Sequence, residues 1–368
     1  RSARRVILSR PIFPQLISRS IYAMLRDMTR ATTAAIAASG EISPAAAPAD
    51  AEAIALPDAA NMRRMSAAHL LVTLAALPLR QWPSVPLHPE SDARAGAFDP
   101  EAIHQLRIAT RRLRALIDVF SPWLKPRWYR RIKAELCWLG HTMGPARDAD
   151  VLATTTLPAL RTEHPDIDWP AIDAHVAKLR SDARALAAEA LASERQQALH
   201  ALLLEAFGIG ADGHADLQAA KALRRPSRTP GKRPRALAKH ARNVLRARYI
   251  ALFPDCRQLA MLDTEQLHAL RVKVKRARYS AEALTPWLRK AIRTPYQDTL
   301  HTAQTLLGQL NDAVVAQRAL EDMEIPATQR DTLNGRLDTI IVNATSRAAH
   351  VLCHLPDAHT LERGMRKD

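Results

Sequence analysis

His104-Gln-Leu-Arg107-Ile-Ala-Thr-Arg111-Arg112-Leu-Arg114 decides the fold, because it returns 164 residues later as His268-Ala-Leu-Arg271-Val-Lys273-Val-Lys275-Arg276-Ala-Arg278. At about 100° of helical rotation per residue, His104, Arg107, Arg111 and Arg114 fall within an arc of roughly 80°. Ile103, Leu106, Leu113, Ile117 and Phe120 gather on the far side. The stretch therefore reads as an amphipathic helix with one packing face and one face of cations headed by a histidine. Like charges three and four residues apart destabilise a helix by roughly a few tenths of a kcal/mol per pair. Folding alone gives no reason to stack them, whereas an anionic ligand does.

Working outward, Asp99-Pro100 supplies an acidic N-cap and a proline at the first helical position, and Ser121-Pro122 ends the helix near Phe120. The repeat extends well past the cations. Glu101, His104, Leu106, Arg107, Arg112, Arg114, Pro122, Trp123 and Leu124 are identical to Glu265, His268, Leu270, Arg271, Arg276, Arg278, Pro286, Trp287 and Leu288 at one offset, which also aligns Gly144 with Gly308, Asp148 with Asp312 and Val151 with Val315. Such a register implies two copies of one helical unit.

The rest of the chain agrees with an all-α protein. It has 368 residues, only 11 glycines and 4% aromatics, too few for many strands and tight turns. Helices are predicted over about Asn61–Leu79, Pro100–Phe120, Arg127–Met143 and Ala171–Phe207, then over Ala236–Phe253, Thr264–Leu284, Pro295–Leu310 and Ala327–Leu352. The expected architecture is two pseudo-symmetric antiparallel four-helix bundles, residues 61–220 and 236–355, whose ladders turn their basic faces to a shared cleft. Residues 1–60, Arg-rich and then Ala/Pro-rich, read as a disordered extension. Residues 221–235, with seven basic residues, three prolines and no acid, read as a basic linker, and 356–368 as a C-terminal tail.

A net charge of +16 points to a polyanionic partner: nucleic acid, an anionic surface or a chain of phosphates. No apolar run approaches the roughly 18–20 residues a membrane span needs, so no membrane partner is expected. Cys137, Cys256 and Cys353 are odd in number and lack CxxC spacing, which suggests neither disulfides nor zinc and fits a reducing cytoplasm.

The pattern His-x-x-Arg-[Val/Ile]-x-x-[Arg/Lys]-Arg-x-Arg, followed by Leu139-Gly140 through Gly144, Arg147-Asp148-Ala-Asp150-Val151 in one half and Leu307-Gly308-Gln-Leu-Asn311-Asp312 in the other, resembles the CHAD (conserved histidine α-helical domain) family. The resemblance covers about residues 61–355. It implies a helical module that binds inorganic polyphosphate in a basic cleft and associates with polyphosphate granules in the cytoplasm. Relatives with an N-terminal triphosphate tunnel domain carry a Glu-x-Glu-x-Lys triplet, which this sequence lacks.

Candidate phosphate ligands are His104, Arg107, Arg111, Arg112, Arg114, Lys133, Arg147, His268, Arg271, Lys273, Lys275, Arg276 and Arg278, with Lys239, Arg242 and Arg246 as a secondary basic surface. Guanidinium groups about 5 Å apart along a helix match successive phosphoryl units. Each ladder spans about 15 Å, so short oligomers are expected to bind one ladder and longer ones to gain from both. A solvated basic face is the bland alternative, and two copies in register weigh against it. A metal at the histidines is disfavoured by the arginines one turn away, and no cofactor is implied. Asp118 and Glu282 read as i,i+4 partners of Arg114 and Arg278, and Asp148 as a helix cap beside Gly144-Pro145. No nucleophile with a paired base or metal-binding acid set stands out, so no catalytic residue and no enzymatic activity are expected. The rival reading is non-specific nucleic-acid binding. It shares the charge but lacks aromatic residues for base stacking on the ladder faces.

Overall fold

The computed structural model describes residues 58–80, 82, 100–210, 213–224, 233–356 and 358–365. These residues are helical, with three isolated β-bridges and no strand among them. The first half contains α1 (Ala59–Arg64), α2 (Ala67–Arg80), the first ladder helix α3 (Pro100–Val119), α4 (Pro126–Thr142), α5 (Gly144–Val151), α6 (Leu157–Glu163), α7 (Trp169–Ala192) and α8 (Glu194–Phe207). The second contains α9 (Arg233–Arg257), the second ladder helix α10 (Thr264–Ala283), α11 (Lys290–Glu321), α12 (Ala327–Cys353) and the short α13 (Ala358–Gly364).

Both ladder helices form where the pattern places them, and each is followed by a 3-10 turn, Ser121–Trp123 and Thr285–Trp287. Asp99 lies outside the described residues. The second helix has a complete capping box: Asp263 accepts from the Gln266 backbone N–H at 2.8 Å, and the Gln266 side chain accepts from the Asp263 N–H at 2.9 Å. Asp263→Ala is expected to lower stability by about 1 kcal/mol, seen as a reduced urea midpoint at unchanged m.

Four boundaries differ from the sequence reading, each for a local reason. The predicted helix Asn61–Leu79 is two helices, because Met65 is extended and Ser66 Oγ accepts from the His69 N–H, starting α2 afresh. Ser193 breaks the predicted Ala171–Phe207 helix in the same way, with extended backbone and a side chain accepting from the Gln196 N–H. The Gly144–Val151 stretch is not a terminating turn. It is helix α5, running through a π-helical segment, Leu152–Thr156, into α6. In the second half α11 runs unbroken through the matching positions, because Gln309 stands where Pro145 lacks an N–H. Finally, α11 starts at Lys290 with Pro295 inside it.

That early start is held by the C-terminus. The Arg289 N–H donates to the Gly364 carbonyl at 2.9 Å, Leu288 bridges Met365, and Leu361 and Met365 are buried. A Cβ on Gly364 would lie 2.3 Å from Ile292 Cγ1, so only glycine permits the approach. The segment 358–365 thus docks on the core through Leu361 and Met365, which corrects the reading of residues 356–368 as a tail. The first half closes identically: Leu124 bridges Leu223, the Lys125 N–H donates to the Ala222 carbonyl at 2.8 Å, and Ala222 and Leu223 are buried. The segment 221–235 is therefore not a uniform linker. Lys221–Arg224 close the first half, 225–232 lie outside the described residues, and Arg233–Arg235 open α9. Gly208, at φ 63°, turns the chain out of α8 toward this closure, where a Cβ would meet the Asp216 carbonyl at 2.1 Å.

The two halves share their cores. One apolar cluster takes in Leu70, Leu106, Leu113 and Phe207 together with Leu245, Leu270, Tyr296 and Leu306. A second joins Leu152, Leu157, Trp169 and Ile172 to Ala313, Leu320, Leu333 and Leu337. Neither half buries these surfaces alone. The result that matters for function is that α3 packs directly against α10.

Candidate functional site

Along α3 the buried positions include Ile103, Leu106, Leu113 and Ile117, the face expected from the periodicity, together with Ala109, Thr110, Leu116 and Val119. Its cationic face is not a freely solvated row: His104, Arg107, Arg111 and Arg114 are each half-buried. On α10, Arg271, Lys275 and Arg278 are half-buried, while His268 and Arg276 are exposed. Contact between α3 and α10 brings the middles of the two ladders into a single cluster with α5 and α11.

The cluster contains Arg107 and Arg111 from α3, Arg147 and Asp148 from α5, Arg271 and Lys275 from α10, and Asn311 and Asp312 from α11. Five cations stand within electrostatic reach of two carboxylates. Burial, then Arg111, lowers the Arg107 guanidinium to about 10, against the pull of Asp148. Burial also lowers Arg271, which donates to Asn311 Oδ1 at 3.2 Å and is opposed by Asp312 and Asp148. Lys275 is affected most. Burial and the neighbouring Arg271, Arg111 and Arg107 push its amine down to about 7, with only Asp312 favouring the charged form. Burial raises the Asp312 carboxyl against the pull of Arg271, which weakens the countercharge further. The Nε–H groups of Arg111 and Arg271 are buried and find no acceptor among the described residues. Such a site has an excess of partly dehydrated donors and positive charge, and favours a multiply charged anion.

Two glycines mark where the guanidinium groups lie. A Cβ on Gly144 would sit 3.8 Å from Arg107 Nη1, and one on Gly140 would sit 3.5 Å from Arg114 Nη1, so the guanidinium groups lie across the α4–α5 corner.

The remaining candidates are distributed elsewhere. Lys133 lies 2.8 Å from Asp118 Oδ1 and from Tyr129 Oη. Burial works against its charge, but the hydrogen bonds with Asp118 and Tyr129 outweigh it and raise the pKa. Its charge is therefore largely compensated, and Asp118 serves Lys133 and Tyr129 where sequence reading paired it with Arg114. Lys273 pairs with Asp255 at 2.6 Å and Arg246 with Glu362 at 3.1 Å. Arg278 does pair with Glu282, at 3.1 Å, and its Nη1 lies 2.8 Å from His301 Nδ1. Arg112 and Arg242 are half-buried, and Lys239 is exposed.

The two aspartates of Arg147-Asp148-Ala-Asp150 do not act together. Asp150 is buried and held by Arg180 at 2.7 Å and Arg184 at 3.0 Å, fastening α5 to α7. Asp148, two residues away and so on another side of α5, faces the cation cluster. It lies within the helix and is no cap, a correction that follows from α5 continuing past Gly144-Pro145. Sequence reasoning missed Asn311 and Asp312 as members of the site, although the match of Asp148 with Asp312 at the ladder offset was the signal for both.

The CHAD domain family matches residues 85–321. Among solved structures, the CHAD domain from the plant Ricinus communis is similar at 24% identity and a TM-score of 0.55, covering 83% of this chain and 96% of that one. PptA from Streptomyces chartreusis is similar at 18% identity and a TM-score of 0.55, covering 78% and 99%. Comparison with curated proteins gave no match. Among the described residues no helix is long and apolar enough to cross a membrane.

Proposed function

The chain belongs to the CHAD domain family, and on that premise we propose that it binds inorganic polyphosphate at the junction of its two ladders, as a binding module with no catalytic role, in association with polyphosphate granules. The observation that supports this most is the cluster of Arg107, Arg111, Arg147, Arg271 and Lys275, drawn from both repeats, with only Asp148 and Asp312 to offset it. Burial and three neighbouring arginines hold the half-buried Lys275 amine down to about 7, and phosphate oxygens would restore its charge and supply acceptors for the orphaned Nε–H groups. The flanking ladder residues His104, Arg114, His268 and Arg278 extend the donor row along the polymer. The non-catalytic reading is supported by the acids present: Asp150 is neutralised by two arginines, and Asp148 and Asp312 sit among cations.

A titration of the full chain with long polyphosphate and with duplex DNA at equal phosphate, over a range of salt, tests the reading. Polyphosphate is expected to bind more tightly, with log K falling linearly in log salt, and to be recovered at unchanged length with no orthophosphate released. DNA binding of equal strength would make the protein a general polyanion binder and overturn the assignment. Shortening of the polymer would overturn the non-catalytic role.

A further inference from the structure

The last turn of α12 and its C-cap residue His354 carry chemistry that the ladders do not use. His350, Cys353 and His354 stand at i, i+3 and i+4, a spacing that places three side chains over one turn of helix. All three are exposed, and their potential ligand atoms lie within 4.8 Å of one another. The imidazole rings of His350 and His354 are 4.7 Å apart, and Cys353 Sγ is 3.4 Å from His354 Nδ1. The backbone carbonyl of His350 holds the group together: the thiol donates to it at 2.8 Å, and His354 Nδ1 lies 2.7 Å from it.

We propose that His350, Cys353 and His354 form a surface site for a borderline-soft divalent cation, Zn2+ above all, with two imidazole nitrogens and one thiolate as ligands and a fourth position open to water. The donor set excludes hard cations: Mg2+ and Ca2+ select oxygen, and this site offers nitrogen and sulfur. Tetrahedral Zn2+ with Zn–N of about 2.0–2.1 Å and Zn–S of about 2.3 Å needs ligand atoms roughly 3.3–3.7 Å apart. The present spread, within 4.8 Å, would close to that range by rotation of the exposed side chains. On binding, the Cys353 thiol proton passes to solvent, and the His350 carbonyl exchanges its side-chain partners for water. The site lies at the C-terminal end of α12, where the helix dipole favours a cation and offsets locally the repulsion of a chain carrying +16. It is outside residues 85–321 and independent of the proposed polyphosphate site.

Co2+ titration of the reduced full-length protein provides the test, with Zn2+ as competitor. The expected result is one Co2+ per monomeric chain, tetrahedral d–d absorption, a thiolate-to-cobalt charge-transfer band, and displacement by Zn2+ but not by Mg2+. Cys353→Ser should abolish the charge-transfer band. His350→Ala and His354→Ala should each weaken binding at least about tenfold. These exposed residues are replaced without disturbing the core, and unchanged helical circular dichroism verifies folding. A charge-transfer band that survives Cys353→Ser would move the sulfur ligand to Cys137 or Cys256 and overturn the site. So would an absence of tetrahedral absorption, or binding only as one metal per two chains.

Discussion

Replacing Arg107 and Arg271 together by methionine is expected to weaken binding of long polyphosphate by about 10³-fold, because each removes a charge-assisted contact worth about 1.5–3 kcal/mol. The same variant should melt at an equal or higher temperature than the parent. Both guanidinium groups are held below their ordinary pKa by burial, and each also feels Arg111 as a neighbouring cation. Methionine keeps much of the apolar stem that lies over Gly144 and removes the charge. A fluorescence titration and a thermal melt on the same preparation check both halves. Affinity within a few-fold of the parent would place the ligand elsewhere, and a sharp drop in melting temperature would make these arginines structural.

Adjacency of the two ladders also revises the expectation for chain length. With α3 against α10, and with Arg111 and Arg107 among the cations that depress Lys275, the two rows form one site in their central turns. A short oligomer is therefore expected to touch both halves at once. Arg271→Met should weaken short and long polymers alike, where separate ladders would have spared the short ones.

Between pH 7 and pH 9, polyphosphate affinity is expected to fall by up to about tenfold per unit, and Lys275→Met should flatten that dependence. In the free fold the Lys275 amine titrates at about 7 and in the unfolded chain near 10.5. Bound phosphate raises it again, so binding above pH 7 takes up close to one proton. Isothermal titration at pH 8 in two buffers of different ionisation heat reads that proton directly. Linkage gives the sign for stability. Between about 7 and 10.5 the unfolded state holds a proton that the folded state lacks, so stability of the free protein rises with pH across that window and is lowest below it. Lys275→Met should remove this rise and stabilise the free protein at neutral pH. The cations facing Lys275 are Arg271, Arg111 and Arg107, and Asp312 is the opposing acid. Proton uptake unchanged in Lys275→Met would assign the titration to another group.

The helices, the family motif and the internal register were legible because each rests on local periodicity. Ile103, Leu106, Leu113 and Ile117 are buried where the α3 pattern demands. The serine caps at Ser66 and Ser193 were equally local and were overlooked inside long Ala/Leu-rich runs whose apolar period continues across the break. Lys133 was read as a phosphate ligand from the sequence. Its partner Asp118 lies on the preceding helix, and helical spacing within α3 cannot reveal a pair formed between helices.

The sequence by itself determined that two cationic helix faces exist and that they are copies, since side-chain direction along a helix follows from rotation per residue alone. Tertiary structure decided which of those cations remain available. Packing of α3 on α10 dehydrates Arg107, Arg271 and Lys275 and crowds them together, while interhelical carboxylates neutralise Lys133 and Lys273. It also decided that the supposed tail and the start of the supposed linker close the two halves of the fold, because Met365 and Leu223 bury against residues far away in the chain. Burial and Coulomb energy depend on what surrounds a group in space, and only the folded chain brings those surroundings together.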